Sequence, residues 1–127
     1  MFTLRKIEGG RINVYEPLSY PVGASAVTEG QALVLSSGKL VKATGKPTFI
    51  ALASGAANAE IAVGRVEPNQ IYEVPVTAAP TSLAVGAKVT VATDGLGVTA
   101  TTTDGVAEIV DLNGATAAND TIYVRFS

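Results

Sequence analysis

The chain has 127 residues, a length typical of one domain, and a formal net charge of −2 at pH 7. It contains neither cysteine nor histidine, which excludes disulfides and thiolate chemistry and removes the commonest general base and metal ligand. Charged residues make up only 16% of the chain, and the negative balance argues against a nucleic-acid binder that works by neutralising phosphates. We therefore expect a protein that is not an enzyme, carries no cofactor and binds no nucleic acid.

Residues 1–22 differ from the rest of the chain in charge and in proline content. They contain three of the nine basic residues, namely Arg5, Lys6 and Arg11. Pro17 and Pro21 exclude regular helix and favour extended backbone in the residues before them. Alternating polar and apolar residues over 11–15 predict one half-exposed strand. We interpret residues 1–22 as an extended N-terminal arm that precedes a β domain of residues 23–127; an ordinary first strand packed on its own barrel is the alternative.

From Val27 onward, short runs of β-prone residues alternate with turn residues. These runs predict strands over 32–36, 39–44, 48–53, 60–67, 71–76, 87–93, 96–103, 106–112 and 121–126. Ser37-Gly38, Asp94-Gly95 and Asn113-Gly114 are typical turn pairs between them. About ten short strands without a long helix predict an all-β, single-domain protein, a small β-barrel, with a β-sandwich as the alternative.

Residues 29–43 resemble residues 85–100, which suggests an internal repeat. Three positions match at a constant spacing of 56: Gly30 with Gly86, Leu33 with Val89 and Leu35 with Val91. One inserted residue would then align Gly38 with Gly95 and Ala43 with Ala100. Residues 61–66 also resemble residues 122–126 if Gly64 is an extra residue at a bulge. A unit used twice predicts a closed body of two similar halves, and chance similarity between glycine-rich β segments is the alternative.

We interpret no pattern in the sequence as a catalytic or ligand-binding motif. Residues 95–100 match the G-x-G-x-x-A dinucleotide fingerprint, but that motif requires a following helix, and the β-prone Thr101-Thr102-Thr103 favours a hairpin. The carboxylates are scattered and are better explained by turns, salt bridges and solvated edges than by an acid/base pair. No apolar run approaches the length of a membrane span, and the first residues lead into no signal-like block. We expect a protein with no membrane partner, made in a cytosol.

Several stretches resemble the capsid decoration, or cement, family of small head proteins in tailed bacteriophages. They are residues 1–14 (MFTLRKIEGGRINV), 30–40 (GQALVLSSGKL), 71–76 (IYEVPV), 85–91 (VGAKVTV) and 121–126 (TIYVRF). The resemblance implies a β-rich structural protein without catalytic residues. It would bind the major capsid protein on the outside of the assembled head, as a homotrimer over local threefold positions, after synthesis in the cytoplasm of the bacterial host.

The arm supplies the candidate contacts with the capsid. They are its basic and tyrosine residues Arg5, Lys6, Arg11, Tyr15 and Tyr20, in a segment that could gain contact area by becoming ordered on binding. A different function remains open, namely a phage tail, spike or adhesin module that binds a host glycan or another tail subunit. Glycan sites commonly use exposed aromatic side chains, and the chain has no tryptophan and only four tyrosines, which weakens this alternative.

Overall fold

The computed structural model describes residues 1–8 and 18–126. These residues form ten β-strands and no α-helix, which confirms the predicted all-β class. In chain order the strands are β1 (Thr3–Ile7), β2 (Leu18–Pro21), β3 (Ala32–Ser36), β4 (Lys39–Lys42), β5 (Phe49–Ala51), β6 (Glu60–Arg65), β7 (Gln70–Pro75), β8 (Lys88–Val89), β9 (Ala107–Asp111) and β10 (Thr121–Phe126).

The strands form two antiparallel sheets of five. The strand order is β1-β7-β10-β9-β8 in the first sheet and β2-β6-β5-β3-β4 in the second. Over the described part of the chain, neither strand order closes into a barrel. One single-residue parallel bridge approaches closure in each sheet, between Val22 and Leu40 in the second and between Val76 and Val98 in the first.

The described parts of residues 1–22 belong to these sheets. β1 pairs with β7, and β2 pairs with β6. Phe2 is only 2% exposed and lies in a hydrophobic core, and Val22 is fully buried. Residues 9–17, with the strand expected over 11–15, lie outside the described residues.

Residues 18–66 and 70–126, here the first and second halves, share one pairing pattern. β2, β3, β5 and β6 pair with one another in the same order as β7, β8, β9 and β10. The registers also correspond: Leu18–Val63 matches Tyr72–Val124, Leu33–Phe49 matches Val89–Ala107, and Phe49–Arg65 matches Ala107–Phe126. Each residue of the first half can therefore be assigned an equivalent in the second half from hydrogen-bonded pairs.

Loop hydrogen bonds follow the same equivalence. The Gly30 N–H donates to the Ala51 carbonyl at 2.8 Å, and the Gly86 N–H donates to the Ile109 carbonyl at 2.8 Å. Asn58 and Asn119, with φ of 68° and 70°, donate their N–H groups to Val22 and Val76 at 3.1 and 2.7 Å. Asparagine tolerates this left-handed backbone better than most residues, so both loops re-enter a strand through the same geometry.

The hairpin after β3 shows that the predicted alignment of the repeat is wrong by one residue. Ser36 pairs with Lys39 across a two-residue turn, whereas the Ala92 N–H donates to Gly97 across a four-residue turn. Two residues are therefore inserted, and Leu40 is equivalent to Val98. The strand expected over 96–103 is reduced to the bridges at Val98.

The bulge predicted at Gly64 is also wrong. β5 and β6 pair regularly, with Ile50 opposite Gly64. The irregularity lies in the second half, where Tyr123 pairs with Asp111 and Val124 pairs with Ile109. Val110 is therefore the extra residue, and Gly64 is equivalent to Arg125.

Each half has a hydrophobic core. The first-half core contains Val22, Val27, Leu33, Leu40, Phe49, Ala51, Ile61 and Val63. The second-half core is larger, and it also takes in Phe2 and three residues of the first half, Ala32, Ala43 and Ile50. The Phe2 ring packs on Phe126 and Tyr72, with ring centroids 5.6 and 6.2 Å apart.

Replacement of Phe2 tests this packing. Phe2→Ala would leave a cavity beside the rings of Tyr72 and Phe126, so we expect the free energy of unfolding to fall by about 3 kcal/mol. Urea denaturation followed by circular dichroism measures the change. The control is Val85→Ala, which truncates a side chain that is 63% exposed and should stay within about 0.5 kcal/mol of the wild type. A loss below about 1 kcal/mol for Phe2→Ala would contradict the packing.

Candidate binding surfaces

An open groove crosses the outer face of the first sheet. Six residues line it, Arg5, Lys6, Ile71, Val110, Asp111 and Tyr123, around a volume of about 330 Å³. They come from β1, β7, β9 and β10: Arg5, Lys6 and Asp111 are exposed, Val110 and Tyr123 are half-buried, and Ile71 is only 7% exposed. We refer to this surface as the outer groove.

The outer groove combines an apolar floor with basic side chains at one edge. Ile71 and Val110 supply the apolar surface, and the half-buried Tyr123 lies beside them. The Arg5 Nε atom lies 3.2 Å from the Glu73 carboxylate, which neutralises part of its charge. Lys6 is exposed and makes no salt bridge with any described residue.

An ion-pair cluster lies on the same sheet. The Arg125 guanidinium donates through Nε to Glu108 and through Nη1 to Glu8, both at 3.2 Å. The hydrogen bond and charge of Glu108, with the charge of Glu8, raise the pKa of Arg125 above its usual value. Because Glu8 and Glu108 both pair with Arg125, we assign these two carboxylates a structural role. Their ion pairs connect the residue after β1 to β9 and β10.

The carboxylate of Asp120 organises the loop before β10. Its Oδ2 atom accepts hydrogen bonds from the N–H groups of Thr116 and Ala117, both at 3.0 Å. These bonds stabilise the ionised form and lower the pKa of Asp120 below its usual value of 3.8. The Asp120 carbonyl in turn accepts from the Val76 N–H at 3.0 Å, so the loop is connected to the end of β7.

Three of the five predicted contact residues lie in the described part of the chain. Arg5 and Lys6 lie together at the outer groove. Tyr20 lies on β2 of the second sheet, where its ring is 5.2 Å from that of Phe49. The structure therefore brings two of the predicted residues together and places the third on the other sheet. Arg11 and Tyr15 lie outside the described residues.

Sequence reasoning missed the remaining residues of the outer groove. Tyr123 carried a signal, because the alternating apolar residues of β10 are buried and turn Tyr123 to the opposite face. Ile71, Val110 and Asp111 carried none, since the order in which strands lie side by side is not encoded in the periodicity of each strand.

A smaller cleft, of about 160 Å³, lies where the chain start meets the first half. Its lining includes Met1, Leu4, Gly30, Leu52 and Tyr72. Gly30 has φ of +80°, and a Cβ atom there would collide with the side chain of Met1. Burial lowers the pKa of the Met1 amino group, an effect that the nearby Asp94 charge opposes. Glycine at position 30 thus permits the first residues to lie against the first half.

Comparisons with known proteins add no family assignment: no protein-family model and no curated protein matches the chain. Within residues 1–8 and 18–126, acidic side chains form no group of three that could bind a metal ion. The same residues include no helix long and apolar enough to cross a membrane.

The Asp120 hydrogen bonds predict a pH-dependent contribution to stability. Because the pKa is lowered in the folded state, ionised Asp120 stabilises the fold above its unfolded pKa, and this contribution disappears as pH falls through the folded pKa. We expect Asp120→Asn to have a lower urea midpoint than the wild type at neutral pH, and the difference to shrink as pH falls below 3.8 and through the folded-state pKa.

Asp104→Asn is the control for this titration, because the Asp104 carboxylate accepts no backbone hydrogen bond from the described residues. Its midpoint should follow that of the wild type. A difference between wild type and Asp120→Asn that stays constant from neutral to acidic pH would contradict the assignment.

Proposed function

We propose that the protein is a structural head protein of a tailed bacteriophage that binds the outer surface of the assembled major capsid lattice and stabilises it without catalysis. The outer groove is the observation that carries the proposal. It is open, has an apolar floor and presents Lys6, which makes no salt bridge with a described residue, beside Arg5; such a surface suits a protein partner better than an enclosed small molecule. The resemblance of residues 1–14, 71–76 and 121–126 to the decoration family points to the same class of partner.

The proposed mechanism is mechanical. Packed DNA pushes capsid subunits apart, and a protein that bridges neighbouring subunits opposes this by burying surface on each of them, about 800 Å² per partner in a standard interface. Assembly as a homotrimer over local threefold positions would multiply the contacts and add avidity without a new type of contact. The protein would be synthesised in the host cytoplasm and reside on the exterior of the virion.

The way in which the two sheets curl suits this role. The fold we propose is a pair of sheets, each curled toward a barrel by one parallel bridge, at Val22–Leu40 and at Val76–Val98. Curling of this kind leaves fewer free strand edges, and free edges promote aggregation. A cement protein present at high local density on a capsid would benefit from this protection.

One observation favours the second function, binding of a host glycan or a tail subunit. Tyr123 lies in the outer groove, where its ring could pack against a sugar. The chain offers little other aromatic surface there, so lattice binding remains the function that we propose. Glycan binding would be recognised by retention on immobilised host glycans together with no affinity for capsids.

Co-sedimentation with expanded heads that lack the protein tests the proposal. Wild-type protein should pellet with the heads at micromolar concentration. Lys6→Glu reverses the charge of Lys6 in the outer groove, and we expect it to weaken binding about tenfold or more. Lys39→Glu is the matched control, because Lys39 lies on β4 of the second sheet and is exposed.

Failure of the wild type to sediment with the heads would overturn lattice binding. Equal losses for Lys6→Glu and Lys39→Glu would contradict the assignment of the outer groove, because a general charge effect would then explain both.

A further inference from the structure

Equivalent residues of the two halves differ in how they are covered at one end of the hydrophobic cores. In the second half, the rings of Tyr72 and Phe126 are covered by Phe2, at 6.2 and 5.6 Å. Tyr72 and Phe126 are 2% and 0% exposed as a result. Their equivalents in the first half, by strand register, are Leu18 and Arg65.

At this end of the first half, the residues are less buried than their equivalents. Leu18 and Tyr20 are half-buried and Arg65 is exposed. Leu35 is 39% exposed, whereas the equivalent Val91 is 7% exposed. We refer to Leu18, Tyr20, Leu35 and Arg65 as the open end; Phe49, which lies against Tyr20 and Arg65, is itself only 2% exposed. No described residue covers the open end as Phe2 covers the second-half core.

The charge at the open end indicates what could bind there. The Arg65 guanidinium lies 5.5 Å from the centre of the Phe49 ring, in a cation–π arrangement. Arg65 forms no salt bridge with any residue in the described part of the chain. A carboxylate on a partner could therefore pair with a cation that is already held over an aromatic ring and that no acidic side chain among the described residues binds.

At the open end, the backbone of β2 offers a partner strand one residue with which to pair, Ser19. The Val22 N–H donates toward β6, to the Ala59 carbonyl at 2.7 Å, so by strand alternation Ser19 and Pro21 face away from β6. Proline has no N–H to donate, which leaves Ser19 to offer both backbone groups. Ser19 is equivalent to Glu73, the residue that pairs with Thr3 directly after Phe2. A partner strand could pair at Ser19 and place a neighbouring side chain over the open end.

We propose that the open end is a second docking site, which binds an extended peptide segment of a partner protein. The segment presents a phenylalanine-sized apolar side chain over Leu18 and Leu35 and a neighbouring carboxylate to Arg65. Phe2 on the second half is the template for the apolar side chain. This inference does not depend on capsid binding, because Leu18, Leu35 and Arg65 lie on the second sheet and are at least partly exposed among the described residues.

The test uses the isolated full-length protein and a synthetic octapeptide, Asp-Phe-Thr-Leu-Arg-Lys-Ile-Glu. The peptide has the sequence of residues 1–8 with aspartate in place of the first methionine, so it carries the template phenylalanine beside a carboxylate. Titration of ¹⁵N-labelled protein should shift backbone signals around Leu18–Tyr20, Leu35, Phe49 and Arg65. A peptide with alanine in place of phenylalanine should bind about tenfold more weakly or worse.

Two protein variants make the test specific. Leu35→Asp replaces an exposed side chain at the open end and should weaken peptide binding about tenfold, whereas Val85→Asp, at another exposed apolar residue, should not. Arg65→Gln should weaken the aspartate peptide and leave the affinity of an asparagine-containing peptide unchanged. Unchanged binding in Leu35→Asp would overturn the proposal.

Three further results would also overturn it. The first is the absence of shifts at millimolar peptide. The second is a set of shifts centred on Tyr72 and Phe126, which would mean that the peptide exchanges with the protein's own β1. The third is a concentration-dependent dimer of the wild type, measured by light scattering, that Leu35→Asp dissociates; a second copy of the chain would then be the occupant.

Discussion

Packing of Phe2 is the interaction on which the arrangement of the two halves depends. Its ring lies against Tyr72 and Phe126 of the second half, and its N–H donates to the Gly30 carbonyl of the first half at 2.8 Å. Hydrogen bonds from Ala32 to Gly95 and from the Gln31 side chain to Asp94, at 2.8 and 2.7 Å, connect the halves nearby. One buried aromatic residue near the chain start thus completes a core that the second half does not complete by itself.

The residue types at equivalent positions explain why one face of the first half is buried, whereas the same face of the second half is in contact with water. Ala32 and Ile50 of the first half lie in the second-half core, and their equivalents by register are Lys88 and Glu108. Gly64 is likewise equivalent to Arg125, which pairs with Glu108. Charges on this face of the second half keep it in contact with water, as on the terminal unit of a repeat protein. The same backbone pattern therefore produces one face that packs against a neighbour and one that ends the stack.

Much of the fold could be predicted from local sequence. Alternation gave β10, and turn residues placed the β3–β4 hairpin, whose Ser37 and Gly38 have positive φ. The repeat could be recognised from Gly30 and Gly86. The insertion of two residues in the second hairpin could not, because the four-residue turn contains Gly95, which aligns with Gly38 when only one residue is inserted. The extra residue in β9 was likewise assigned to Gly64, since composition suggests a bulge there more strongly than at Val110.

The candidate surfaces were less predictable than the strands. Arg5 and Lys6 were identified as exposed basic residues near the chain start, but their neighbours Val110 and Tyr123 depend on which strands pair across the sheet. Phe2 and Leu4 alternate with the polar Thr3 and Arg5, which is compatible with a strand but does not indicate what Phe2 packs against. Its burial depends on the distant rings of Tyr72 and Phe126, which no local pattern reveals. The open end could be recognised only after the registers of both halves were aligned.

Phe2 connects two equivalent halves by filling the end of the second-half core. A nuclear Overhauser spectrum with assigned aromatic protons can test this connection. We predict strong cross-peaks from the Phe2 ring to the rings of both Tyr72 and Phe126, together with slow hydrogen exchange at the Phe2 amide. Narrow Phe2 ring signals at random-coil positions, with no cross-peak to either ring, would contradict it.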